Sequence, residues 1–250
     1  RIPVAGKLIR ASNRAYTGMA NKLRADVFDR LVATAEAGGL DPHNDARLSE
    51  SIARFINTAT GRGDLGKLAP AAEAMSTALF APRLIASRLN MLDPTFYAKL
   101  EPFARKQALQ AALSTAAVVV TANGLAIAAG AHGTKDPRNA DFGKIRVGNT
   151  RVDVAGGFLQ YIRLGAQLLT GQVVSSTSGR TTELGKEYGK PTRLDVVSRF
   201  VQTKASPIFS LVLDMLRGKD MLGRPVSAKA AIARRVTPLI LQDFNDLMKD

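Results

Sequence analysis

Cysteine and tryptophan are absent from this chain of 250 residues, and histidine occurs twice. Without cysteine the chain has no disulfides, no thiolate metal ligands and no Cys–His nucleophile. The histidines, His43 and His132, lie in predicted loops, and neither has a second ligand at a spacing typical of a metal site. Aromatic residues make up only 6% of the chain, which argues against platforms for stacking bases. We therefore expect no cofactor and no metal ion.

Recognisable catalytic motifs are also missing. There is no Gly-x-Ser-x-Gly elbow, and carboxylates such as Asp26 and Asp195 lie in arginine-rich stretches where ion pairing and capping explain them. The segment 61–68, GRGDLGKL, matches the spacing of a phosphate-binding loop. However, Leu68 follows Lys67 where that motif requires Ser or Thr, and a predicted helix precedes it instead of a strand. We predict a glycine-rich turn there and no enzymatic activity for this chain.

Positive charge is in large excess. The formal net charge is +14, which favours polyanionic partners such as nucleic acid, anionic lipid or an acidic protein. A solvated basic surface explains the same excess equally well, because the basic residues are spread along the chain. The predicted contacts with nucleic acid or another polyanion are Arg10, Arg14, Lys22, Arg24, Arg193, Arg199 and Lys204.

One long apolar stretch, residues 107–131, contains no charged side chain. As a helix it would be about 37 Å long, enough to cross a bilayer core. Its many alanines and its Asn123-Gly124 pair make it a weak membrane span, so a buried core helix is the favoured interpretation, with membrane contact in another state as the alternative. The predicted membrane or oligomer contacts are Leu109, Leu113, Val118, Val119, Val120, Leu125 and Ile127.

Apolar residues recur at helical spacing through most of the chain, which predicts a mainly α protein. The expected architecture is a multi-helix bundle with one long alanine-rich helix and a single short β-hairpin near 144–154. We predict a helical region over 1–143, a hairpin plus helix over 144–172, a flexible linker over 173–190 and C-terminal helices over 191–250. Residues 1–14 are expected to form a basic arm before a first helix that begins near Gly18, and Pro102 is expected to kink a continuous helix.

The segment from Asp153 to Gly157 permits two interpretations. Two glycines beside a helix start can let backbone amides approach a phosphate. A tight junction between the hairpin and the helix explains the same residues and is favoured.

Several short pieces together resemble the polyvalent-protein-associated family, a domain of very large bacteriophage and prophage proteins. They are spread from Asn13 to Pro207 and cover most of the chain. The matching pieces are Asn13–Tyr16, Leu23–Arg24, Phe28, Asn57–Gly63, Leu79–Leu84, Ser87–Arg88, Asp136–Pro137, Asp141–Ile145, Asp153, Gly156–Gly157 and Lys204–Pro207.

This resemblance implies a part of a long virion protein that enters the bacterium with the phage genome, similar to internal ejection proteins. The implied partners are other phage virion proteins, further copies of the chain, double-stranded DNA and the host membrane. The implied location is the virion, followed by the host cell envelope or cytoplasm. No catalytic residue follows from the resemblance. A non-catalytic nucleic-acid-binding or accessory module, acting on host defence or DNA metabolism, is the alternative. Because the chain begins at Arg1, we expect it to be a processed product or part of a longer polypeptide.

Overall fold

The computed structural model describes residues 3–148, 150–186 and 189–218, and within them the protein is mainly α. The helices are α1 (Pro3–Ala37), α2 (Ala46–Ala59), α3 (Ala72–Ala78), α4 (Pro82–Leu92), α5 (Pro94–Ala98), α6 (Pro102–Ala128), α7 (Leu159–Thr170), α8 (Arg193–Gln202) and α9 (Pro207–Arg217). The strands are β1 (Ile145–Val147), β2 (Thr150–Val152), β3 (Gln172–Val174) and β4 (Thr181–Glu183). The part of the predicted C-terminal helical region that follows Gly218 lies outside the described residues.

The main hydrophobic core is built on α2. Apolar side chains of α2 recur every three or four residues, so they lie on one face and can be buried together. The Asp45 carboxylate accepts a hydrogen bond from the Leu48 amide at 3.1 Å and caps the start of this helix. The buried members of the core are Leu48, Ile52, Phe55, Ile56, Phe96, Leu100, Ala104 and Ala108.

Helix α1 is longer than the sequence pattern predicts. It begins at Pro3, so the expected basic arm over 1–14 is wrong for the described residues, which are helical. Lysine, arginine, leucine and alanine are all good helix formers, so the basic composition of this segment is compatible with a helix. The C-terminal part of α1 packs Val27, Phe28 and Leu31 against the core.

Pro102 separates two helices and does not kink one. The chain leaves α5 at Lys99, and Glu101 is extended, with φ −56° and ψ 150°. A residue before proline is pushed out of the helical region, and proline itself fits the first turn of a new helix. The prediction of one continuous helix through Pro102 is therefore wrong.

The predicted hairpin near 144–154 is confirmed, with Ile145 opposite Val152 in an antiparallel pair. A second antiparallel pair joins β3 to β4, where the sequence predicts a flexible linker. Backbone contacts hold this second pair, and one of them comes from Arg138, which is distant in sequence. The Val174 amide lies 3.5 Å from the Arg138 carbonyl, and the Leu184 amide donates to the Gly171 carbonyl at 2.8 Å. The expectation of a single hairpin is therefore wrong, and part of the predicted flexible linker over 173–190 pairs as strands.

The chain divides into two compact units. The first contains residues up to Gly66 and Arg83–Arg193, so the predicted division at residue 143 falls inside it. Among the described residues, the second contains Lys67–Pro82 and 194–218. Within the second unit, the Ser206 hydroxyl caps α9 by accepting from the Phe209 amide at 3.1 Å. The same hydroxyl donates to the Thr77 carbonyl at 2.5 Å, which ties α9 to α3.

Candidate membrane and assembly helix

Helix α6 presents its apolar side chains to solvent. Among the described residues, one helix is long and apolar enough to cross a membrane, by length and composition alone, and that helix is α6. Its 18-residue apolar window has a mean hydropathy of 1.7, and none of that window is buried. The favoured sequence interpretation, a buried core helix, is therefore wrong for this window in the described structure. The most exposed apolar side chains are Leu113 (70%), Val118 (66%), Val120 (71%) and Leu125 (68%).

The other predicted contact residues of α6 are less exposed. Leu109 and Ile127 are exposed, whereas Val119 is half-buried. Ala112 and Ala126 are also half-buried, and their spacing of seven residues from Val119 places all three on the same side of the helix. All seven predicted residues therefore belong to one helix, but Val119 lies on its more sheltered side.

The N-terminal end of α6 is fixed in the core. Ala104 and Ala108 are completely buried against the α2 cluster. The Arg105 guanidinium donates to the carbonyls of Tyr97, Ala98 and Leu100 at 3.0 to 3.1 Å, which holds the first turn of α6 to the end of α5. These carbonyls carry the partial negative charge of a helix C-terminus, so the cation is well placed.

The other end of α6 is held by the first hairpin. Its last turn closes through the Ala131 amide, which donates to the Ala126 carbonyl at 2.9 Å. His132 and Arg146 then exchange two backbone hydrogen bonds of 2.9 Å, which attach the chain to β1. Contacts hold α6 at both ends, and the middle of the helix forms an exposed apolar rod.

Two polar side chains of this exposed part of α6 donate hydrogen bonds to backbone carbonyls of the same helix. The Asn123 side-chain amide donates to the Val119 carbonyl at 2.9 Å, and the Thr115 hydroxyl donates to the Ala111 carbonyl at 2.8 Å. Internal hydrogen bonds of this kind lower the cost of moving a polar side chain into lipid.

Four of the seven residues predicted to contact a polyanion already interact with other groups of the chain. Lys22 pairs with Asp26 at 2.7 Å, and Arg24 donates to the Thr60 hydroxyl at 2.8 Å. Arg193 donates to the Leu168 carbonyl at 3.0 Å, and the Lys204 ammonium lies 5.2 Å from the centroid of the Phe200 ring.

The remaining predicted contacts, Arg10, Arg14 and Arg199, are exposed, with no side-chain partner among the described residues. Arg199 and Lys204 belong to the second unit, and the other five belong to the first. The sequence does not separate these seven cations from one another. In the described structure, four of them contact other groups of the chain and three are exposed without a side-chain partner.

Sequence reasoning missed a pair of arginines that share one acceptor. The Asn21 side-chain oxygen accepts from Arg24 at 3.1 Å and from Arg62 at 2.8 Å. Burial lowers the pKa of Arg24, and the positive charge of Arg62 lowers it further. Arg62 lies in the glycine-rich turn predicted over 61–68, and the arginine side chain, not the glycine spacing, is the feature that makes this turn part of the cluster.

Among the residues that the structure describes, there is no group of three or more histidine, aspartate or glutamate side chains suited to a metal ion. No protein-family model, curated protein or solved structure matches this chain.

Proposed function

We propose that this chain is a structural segment of an ejected phage virion protein, and that α6 enters the host envelope or contacts sister copies to help form a conduit for genome delivery. The observation that carries the proposal is the exposed, charge-free apolar face of α6. In this proposal the chain has no catalytic role and acts with other virion proteins, with double-stranded DNA and with the host membrane. The phage context comes from the family resemblance of the pieces between Asn13 and Pro207.

The dimensions of α6 suit a bilayer. Its 27 residues correspond to about 40 Å of helix, and a hydrocarbon core is about 30 Å thick. The charged residues of α6, Arg105 and Lys106, lie at its N-terminal end, so the charge-free part begins at Gln107.

The energy of insertion is modest, which favours a conditional process. Each Leu, Ile or Val contributes about 0.3 to 0.6 kcal/mol, so the seven predicted contact residues together contribute only about 2 to 4 kcal/mol. Alanine adds little, and the polar side chains oppose insertion. Small residues allow close helix packing, so association between copies of α6 can supply the missing stabilisation.

The absence of cysteine permits a direct test. Single cysteines introduced as V118C in α6 and K186C outside it can be labelled without background from other thiols. With anionic vesicles, we expect the V118C fluorophore to shift to the blue and to become protected from a water-soluble quencher, whereas the K186C fluorophore stays accessible. Equal accessibility of both labels, with and without vesicles and at both neutral and acidic pH, would rule out a membrane role for α6.

A second candidate function, a non-catalytic nucleic-acid-binding or accessory module, is favoured by the Asn21–Arg24–Arg62 cluster. Two guanidiniums converge there on a neutral acceptor, and Lys7, Arg10 and Arg14 are exposed on the same helix, α1. Arginine forks match the geometry of phosphate oxygens.

Binding of duplex DNA at several salt concentrations tests this alternative. For each phosphate contact that is lost, the slope of log K against log salt concentration falls by about 0.9. We expect R62Q to reduce the slope by about this amount if the module binds DNA, while the charge-matched control R180Q leaves it unchanged. Identical slopes for wild type and R62Q would exclude this cluster as a DNA contact.

A further inference from the structure

The first unit contains a polar cavity of about 210 Å³, lined by the 139–144 loop, the residues after β2 and the first turns of α7. We propose that this cavity binds the phosphate group of a small anion, with Lys144 and Arg163 as its two cationic contacts. The proposal is independent of the membrane role of α6.

The fold brings these two cations together from distant parts of the sequence. Leu159, Gln160 and Arg163 occupy positions on one face of α7, because residues three and four apart lie side by side on a helix. Lys144 reaches the cavity from the loop before β1. Close approach of this loop requires Gly143, since a Cβ there would lie 2.8 Å from Leu159 Cδ2 and the backbone φ is +65°.

The acidic groups near the cavity already accept hydrogen bonds within the chain, and one of them, Asp153, also lines the cavity. Asp153 Oδ1 accepts from the Ala155 amide at 2.8 Å, and Asp141 Oδ1 accepts from Arg151 Nε at 2.8 Å. Within the described chain, neither Lys144 nor Arg163 has an ion pair with a carboxylate or a side-chain hydrogen bond. Two cations that share a cavity without a paired carboxylate form a site suited to an anion.

Burial affects Arg163 directly. Removal from water lowers the pKa of its guanidinium, and the negative charge of Asp141 partly opposes this effect. A partly buried cation without a hydrogen-bonded counter-charge is costly, so an anion that supplies one is expected to bind favourably. The planar guanidinium can offer two parallel N–H groups to phosphate oxygens.

The size and remaining lining restrict the ligand. A volume of about 210 Å³ is below the range of roughly 300–1,000 Å³ typical of sites for drug-sized molecules. The cavity also contains the Asn139 and Gln160 side chains and the Asp153 carboxylate. Asp153 opposes a highly charged anion such as a nucleoside triphosphate, so a phosphate ion or a small phosphate monoester is the expected class.

Binding of inorganic phosphate and of glycerol 3-phosphate to the full chain tests the proposal, with titrations followed by calorimetry at constant ionic strength. We expect saturable binding to wild type and a loss of about tenfold or more in affinity for R163Q and for K144Q, as expected when a charge-assisted hydrogen bond is removed. The charge-matched controls R180Q and K135Q lie outside the cavity lining and should bind as wild type does. Absence of saturable binding to wild type, or unchanged binding to R163Q, would refute the proposal.

A second measurement needs no variant and so is unaffected by folding defects. Phenylglyoxal modifies accessible arginines, and peptide mass spectrometry reports each site separately. We expect phosphate to protect Arg163 but not Arg180, whereas equal modification of Arg163 with and without phosphate would contradict the proposal. Vesicles containing phosphatidic acid provide a further arm. Protection by both the soluble anions and the vesicles would show that a lipid headgroup can also supply the phosphate group, protection by the soluble anions alone would identify a free metabolite, and protection by the vesicles alone would contradict the proposal of a small anion.

Discussion

At the scale of single residues, Gly63 shows how a turn can depend on the absence of a side chain. It is buried between the end of α2 and α4, and its amide donates to the Arg83 carbonyl at 3.0 Å. Nearby, the Ser87 hydroxyl donates to the Thr58 carbonyl at 2.6 Å, and both residues are almost completely buried. A Cβ at Gly63 would lie 2.0 Å from the Ser87 amide nitrogen. The obstacle is backbone, which cannot move aside as a flexible side chain would.

Gly63→Ala should therefore lower the free energy of unfolding by at least about 3 kcal/mol, at the upper end of overpacking effects. The control Gly18→Ala lies inside α1, where nothing lies within 4 Å of the new methyl group. That control should raise stability by about 0.5 to 1 kcal/mol, because alanine is the better helix former. Urea denaturation of both variants measures the difference, and a Gly63→Ala protein as stable as wild type would show that this turn packs differently.

Asp136 links a second residue-scale feature to pH. Its carboxylate accepts from the backbone amide and the guanidinium of Arg138 at 2.8 to 3.2 Å. The side-chain hydrogen bond from Arg138 is the main reason that the pKa of Asp136 lies below its ordinary value of 3.8. Arg138 also donates to Gln172, and its carbonyl accepts from Gln167 at 2.8 Å, so this ion pair connects the loop to α7 and β3.

Because the folded pKa of Asp136 is depressed, its stabilising contribution is fully present above about pH 4 and is lost as the pH falls through the depressed value. We expect Asp136→Asn to lower the melting temperature at neutral pH and to reduce the loss of stability on acidification. Asp29→Asn is the control, since Asp29 is exposed on α1 without an ion pair among the described residues. Thermal melts between about pH 6 and about pH 2 measure both variants. An acid-induced loss for Asp136→Asn as steep as that of wild type would exclude the ion pair as its origin.

At the scale of elements, α2 and α6 show two outcomes for apolar helices. The apolar side chains of α2 form one face, so packing can bury them and leave the polar face in water. The apolar and small side chains of α6 surround the helix on all sides, and among the described elements only its first two turns find a hydrophobic partner. A helix that is apolar on all sides is typical of a membrane span or of a segment buried by other protein, and this pattern supports the proposed role of α6.

A charge in the middle of α6 should separate folding from membrane binding. Val118→Lys replaces a side chain that is 66% exposed, so the free energy of unfolding in water should change by less than about 0.5 kcal/mol. Lysine near the centre of a membrane helix costs about 2.5 to 3.5 kcal/mol, so vesicle affinity should fall by about 100-fold or more. Val147→Lys is the matched control, because Val147 is 64% exposed and lies in β1. Vesicle flotation of both variants measures the difference, and equal binding would exclude insertion of α6.

At the scale of the whole molecule, the net charge of +14 favours anionic partners over cationic ones. An anionic membrane surface attracts basic residues by about 1 kcal/mol each at close range, and salt screens this attraction within about 10 Å at 0.1 M. Under the proposed membrane role, electrostatic attraction would bring α6 to a bilayer, and apolar contacts with association between copies would then decide whether it inserts.

Mass photometry with lipid nanodiscs tests assembly of the whole chain. We expect a discrete oligomer on anionic nanodiscs, with less material bound to neutral nanodiscs and less at high salt. Association between copies is expected because the insertion energy of one α6 is small. A monomer that ignores both kinds of nanodisc would contradict the conduit proposal and favour the nucleic-acid-binding alternative.

Sequence patterns determined the parts of this fold that depend on local chemistry. Capping residues mark several helix ends, with Asp45 and Ser206 at helix starts and Gly171 and Gly218 at helix ends. The hairpin near 144–154 follows from its alternating residues. The second strand pair escaped prediction because a segment rich in Ser, Thr and Gly has weak local preferences. A backbone contact from Arg138, which is distant in the sequence, and one from Gly171, which directly precedes β3, order it.

For the candidate sites, the sequence by itself determined that the chain carries a charge-free apolar stretch, residues 107–131, and a large positive net charge, because both are read directly from the residues. Only the tertiary structure decided that α6 is exposed, since burial depends on whether another element covers it. Only the tertiary structure placed Arg62 beside Arg24, and Lys144 and Arg163 around one cavity. Such groupings join residues far apart in the chain, and a linear pattern carries no information on their distance in space.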